Sequence, residues 1–105
     1  MTVNQNLIRW ISGNKQIGSV FSFERNGELC WSSVAIQKWG NVIKVYVDEI
    51  FEFQIDAENY LREEIVEFDS IESAIEFISS STMAESEQLL PCKGQKIFNP
   101  EFSNK

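Results

Sequence analysis

"AENYLREEIVEF", residues 57–68, fits two local structures, and the choice between them decides the fold. As a helix it has Asp56 for an N-cap and Ala57, Tyr60, Leu61, Ile65 and Phe68 as an apolar stripe. As a strand, "EEIVEF" with its β-branched pair runs to Asp69. The residues that follow favour the strand. In "DSIE", Asp69 stands as an N-cap with Glu72 three positions on, a helix start that a preceding helix would make redundant.

Downstream, Ile71, Ala74, Ile75 and Ile78 recur at i, i+3, i+4 and i+7, which predicts a helix over 70–79 able to cover one face of a sheet. "TMAESEQLL" predicts a second short helix, capped by Thr82 with Glu85 and ended by Pro91. After Gly94, "QKIFNPEF" reads as a short edge strand limited by Pro100, before a frayed tail.

Upstream the pattern is that of a meander. "NLIRWI" reads as a first strand and "SGNK" as a turn. "QIGSVFSF" then sets Ile17, Phe21 and Phe23 at even spacing. Asn26-Gly27 is a strong two-residue hairpin signal, because both residues tolerate positive φ, so "LCWSSVAIQKW" should run antiparallel to the strand before it. Gly40-Asn41 leads into "VIKVYV". Asp48-Glu49 is read as one more reversal before "IFEFQI", with Phe51, Phe53 and Ile55 on one face and Glu52 toward water. The expectation is an α+β fold: an antiparallel meander of five to six strands with one or two helices from the C-terminal half packed on it. A single domain spans 1–105, mainly β over 1–68, helical over 69–90, and loop with an edge strand and tail over 91–105.

The 105 residues, 43% of them hydrophobic, suffice for one core without metal or disulfide staples. The net charge of −7 is unevenly placed: residues 1–47 carry +3, residues 48–77 carry −10, and residues 78–105 balance. Such a chain is not expected to bind nucleic acid or an anionic membrane, which need Lys and Arg. The N-terminus lacks a basic region followed by a long apolar run, which predicts neither signal peptide nor membrane span and places the protein in the cytoplasm.

Without histidine, nucleophile–histidine pairs and histidine metal centres are excluded. The five glycines fit no phosphate-cradling loop. No enzymatic activity and no cofactor are expected. Cys30 reads as a core residue, and Cys92, beside Lys93, as a loop cysteine rather than a reactive thiol. Trp10, Trp31 and Trp39 read as core rather than as a base-stacking platform.

The run "REEIVEFDSIESAIEF", residues 62–77, raises the question of partners. Glu72 and Glu76 lie four apart on the expected helix, a like-charge pair that costs a few tenths of a kcal/mol. Glu63 and Glu67 share one face of the expected strand, where pairing with 50–55 would add Glu52. Carboxylates gathered without compensating lysines are explained either as a solvated face or as a surface completed by a cationic partner. On the second reading Glu52, Glu63, Glu67, Glu72 and Glu76 supply the field, Asp48 and Glu49 its rim, and Tyr46 or Tyr60 the central anchor.

The overall plan, a meander of this size with an acidic strand, the helix "FDSIESAIEF" over it and no catalytic groups, resembles the small immunity proteins of bacterial polymorphic and contact-dependent growth inhibition toxins. The resemblance implies a monomeric stoichiometric inhibitor, binding one cognate basic toxin domain, often a nuclease, in the cytoplasm of the producing cell. Two alternatives share the charge: an acidic secretion chaperone, usually dimeric, and an acidic mimic of DNA.

Overall fold

The computed structural model describes residues 5–92 and 96–101. Strands β1 (Ile17–Arg25), β2 (Glu28–Trp39), β3 (Val42–Phe51), β4 (Arg62–Phe68) and β5 (Leu90–Pro91) form one antiparallel sheet in the spatial order β4-β3-β2-β1-β5. Helices α1 (Gln5–Ser12) and α2 (Ile71–Ser81) complete an α+β fold whose main helix lies in the C-terminal half. The ambiguous segment is a strand from Arg62 onward. Both expected two-residue turns form: Asn26 (φ 55°) and Gly27 (φ 80°) join β1 to β2, and Gly40 (φ 62°) opens the next reversal.

Five local expectations are corrected. "NLIRWI" is helical, because Leu7 and Ile11, one turn apart, bury together on the core while Trp10 packs beside them. "SGNK" is a turn as expected, and it ends that helix: Asn14 takes φ 64°, its N–H bonds to Ile11 and that of Lys15 to Trp10, the two bonds of a Schellman cap. Asp48-Glu49 reverses nothing. It lies inside one continuous strand, and the chain turns only after Phe51, through a single 3-10 turn at Glu52–Gln54.

Ser70, not Asp69, caps α2, its hydroxyl accepting from the Ser73 N–H at 3.1 Å. The second helix shrinks to a 3-10 turn at Ser86–Gln88, and the last strand is Leu90–Pro91 rather than the segment after Gly94. Gly94 and the tail from residue 102 lie outside the described residues.

Pairing puts Ile17, Val34, Ile36, Ile43, Val45 and Val47 on one face of the sheet. Against them pack Leu7 and Ile11 of α1 and Ala74, Ile75 and Ile78 of α2. Each large aliphatic side chain so buried contributes about 1.5–3 kcal/mol. Arg62 fastens α2 to the sheet edge. It donates to the Ser81 carbonyl at 2.6 Å, lies over the Phe77 ring, and pairs with Glu64.

The opposite face is crossed by residues 96–101, a strap held without strand pairing. Phe98 stacks on Tyr46 with ring centroids 5.6 Å apart, and Pro100 is fully buried. Gln16 is the clasp. Its amide NH₂ donates to Gln37 and to the Phe98 carbonyl, while its oxygen accepts from the N–H groups of Ile97 and Phe98. Gly18 lies under Ile97, where an added Cβ would come within 2.6 Å of the isoleucine terminus.

Candidate functional site

Strands β3 and β4 and their connection, residues 52–61, hold seven of the nine residues singled out in the sequence. Alternation along paired strands sorts them. Tyr46, Asp48, Glu63 and Glu67 point to the strap face, and Glu49 points to the helix face. Glu49 is buried and engaged, 2.9 Å from Arg25 on one side and 3.9 Å from Arg62 on the other, so its charge is consumed inside the fold. Glu52 is exposed just past β3, beyond the ladder rather than across it from Glu63, and accepts from the indole N–H of Trp31 at 3.3 Å.

Glu72 and Glu76 are not part of this group. They are exposed on α2, which covers the other face of the sheet. The sheet therefore divides the acidic run instead of collecting it. The single patch expected from the run is replaced by a smaller one at the β3–β4 hairpin.

Within the hairpin, Asp48 is almost fully buried. It accepts from the Ser33 N–H at 2.8 Å and faces the Tyr46 hydroxyl at 2.9 Å, and that same hydroxyl lies 3.0 Å from Glu63. A phenol carries one hydrogen, so it serves only one of two ionised carboxylates at a time. Burial pushes the Asp48 carboxyl above its usual range. The Tyr46 and Ser33 hydrogen bonds oppose the rise and the Glu63 charge adds to it. Burial, then the two carboxylates, push the Tyr46 hydroxyl far up. Tyr46 is thus structural, half-buried under Phe98. Glu67 remains exposed, with the Lys44 ammonium 3.4 Å away.

Sequence reasoning overlooked the connection itself, having assigned its residues to strands. Phe53 (63% exposed), Leu61 (49%), Ile55 (43%) and Tyr60 (39%) sit within these ten residues, a concentration of open apolar surface that a solvated loop does not need. Backbone bonds fold it tightly: Glu58 donates to Ile55 and Asn59 to Gln54, with Glu58 at φ 52°. Phe53 stacks on Phe51 at 5.4 Å. Exposed Glu52, Asp56 and Glu58 alternate with them along the chain and Glu63 follows, and burial followed by the Asp48, Glu63 and Glu58 charges raises the Tyr60 hydroxyl. Asp56 and Asn59, both poor strand formers, were the available signal that no strand crosses this segment.

Elsewhere, a cleft of about 890 Å³ lies between the end of α1, β5 and the strap, lined by Trp10, Lys15, Gln37 and Lys96 among others. Burial raises both thiols, Cys30 and Cys92, which disfavours their thiolate forms. Among the described residues no three Cys, Asp or Glu side chains converge as metal ligands, and no helix is long and apolar enough to cross a membrane. Comparison with protein-family models, curated proteins and solved structures finds no match.

Proposed function

We propose that this protein is an inhibitor of the immunity type, which neutralises a cognate toxin domain by docking the end of its β3–β4 hairpin on a cationic cleft. One observation carries the reading: the ten-residue connection exposes four large apolar residues, Phe53, Ile55, Tyr60 and Leu61, interspersed along the chain with exposed Glu52, Asp56 and Glu58 and followed by Glu63. Exposed aromatic and aliphatic side chains flanked by charge suit a protein interface. A nuclease cleft is built to receive phosphate, so Glu52, Asp56, Glu58 and Glu63 can occupy it as substrate charge does, without any chemistry. Opposite fields also raise the encounter rate above the ordinary range of about 10⁵ to 10⁶ M⁻¹s⁻¹.

The test is growth rescue. Where the gene immediately upstream encodes a large toxin, its C-terminal domain is induced with and without this chain, and the absence of any toxin gene beside it counts against the reading. The wild-type chain restores growth, and a variant with Glu52, Asp56, Glu58 and Glu63 all changed to Lys does not. Failure of the wild-type chain, or equal rescue by the variant, overturns the reading.

A further inference from the structure

The sheet ends at β4. This strand has β3 on one side, and among the described residues no strand pairs with the other. An unpaired edge templates whatever extended chain can approach it, and proteins blunt such edges with proline, bulges, short length or charge. β4 uses only the last. Its register against β3 is unbroken from Arg62 to Phe68, and it contains neither proline nor glycine. What it carries instead is Glu63, Glu64 and Glu67.

We propose that the free edge of β4 receives an extended basic segment of the partner protein as a sixth strand, with a basic, an apolar and a basic residue set opposite Glu63, Ile65 and Glu67. Those three side chains point to one face, two residues apart, and so dictate a matching alternation in the incoming strand. The acids decide the occupant. A second copy of β4 would bring glutamates against glutamates, whereas lysine or arginine at the same places pairs with them. The free stretch of β1 beyond β5 lacks this bias, since it carries a single acid, Glu24, where β4 carries three. Immediately before β4 come Tyr60 and Leu61, both exposed, so a strand added here and extended by a few residues reaches the start of the exposed connection. The inference rests on the cationic partner proposed above and adds the backbone as a recognition element.

The experiment uses the full, isotopically labelled chain and a short synthetic peptide repeating lysine, threonine, valine, threonine. A twin peptide carries N-methyl groups on the amides of its pairing edge, which keeps the charge and removes the ladder bonds. The expected result is slowed hydrogen exchange at the outward amides of residues 62–68 with the first peptide, and about tenfold or greater loss of affinity with the twin. Equal binding by both peptides, or protection on β1 instead, overturns strand addition and leaves the acidic surface reading standing. If neither peptide binds at low salt while the upstream toxin domain is still neutralised, strand addition falls alone. If rescue fails as well, both fall.

Discussion

Arg62 donates to the carbonyl oxygen of Ser81 at 2.6 Å, so the residue that opens β4 also closes α2. No basic residue occurs in the last turn of α2, and this guanidinium supplies the positive charge that the helix C-terminus favours. It also approaches buried Glu49 and pairs with Glu64. Arg62→Met keeps the aliphatic stem over Phe77 but strips these groups, and is expected to cost about 2–4 kcal/mol in urea unfolding. Arg62→Lys recovers only part, because an ammonium lacks the planar fork.

Gln16 satisfies all four hydrogen-bonding positions of its amide, on Gln37 and the main chain of the strap. Gln16→Ala leaves those buried groups unserved, for a loss of about 2 kcal/mol. Hydrogen exchange at the Ile97 and Phe98 amides should quicken well beyond the global change.

Two glycines respond to alanine for different reasons. At Gly18 the new methyl meets Ile97 at 2.6 Å and the Val34 carbonyl at 2.7 Å, and overpacking of this kind costs about 1–3 kcal/mol. At Gly27 nothing lies within 4 Å, so the penalty is that of φ 80° alone, about 1–2 kcal/mol. Only Gly18→Ala should also loosen the strap, read as faster exchange at Phe98.

Asp48 makes stability depend on pH. Its folded-state pKa is raised, so the folded protein binds this proton more readily than the unfolded chain. The favourable contribution is complete below the ordinary carboxylate range and is lost as pH rises through the raised value. Asp48→Asn keeps an acceptor for the Ser33 N–H and frees the Tyr46 hydroxyl for Glu63. It should flatten that slope, measured as urea midpoints across the acid range, and should stabilise at neutral pH by on the order of 1 kcal/mol.

Phe53→Ala and Tyr60→Ala separate binding from folding. Both side chains are exposed, so unfolding midpoints should move little. If they anchor the interface, each costs about 2 kcal/mol or more in affinity for the toxin domain by calorimetry.

Much of the framework was legible because it is local. Asn26-Gly27 and Gly40-Asn41 set two hairpins through backbone conformations that few other residues accept, and the spacing of Ile71, Ala74, Ile75 and Ile78 admits only a helix. Asp48-Glu49 misled because its support is distant in sequence. Two acids side by side read as a turn until Arg25, Ser33 and Arg62 are brought around them from three other strands. The strap left no trace in any periodicity, since a glutamine amide and a stacked ring hold it rather than a repeating apolar face. In the candidate site the sequence indicated Glu52, Tyr60, Glu63 and Glu67. It joined Glu72 and Glu76 to them because neighbours along a chain need not be neighbours across a sheet.

Gln16 and Phe98 are 82 positions apart, and this distance sets a timetable for the newborn polypeptide. A ribosome delivers the glutamine 82 residues ahead of its counterpart, so over that interval the sheet face holding Gln37 and Tyr46 lacks its strap. Strands β1 through β4 have one another as pairing partners by residue 68 and can assemble in the meantime, with β5 joining β1 later. Closing the latch then follows assembly of the meander, and a nascent chain stalled short of Phe98 should hold a formed meander with an unlocked back.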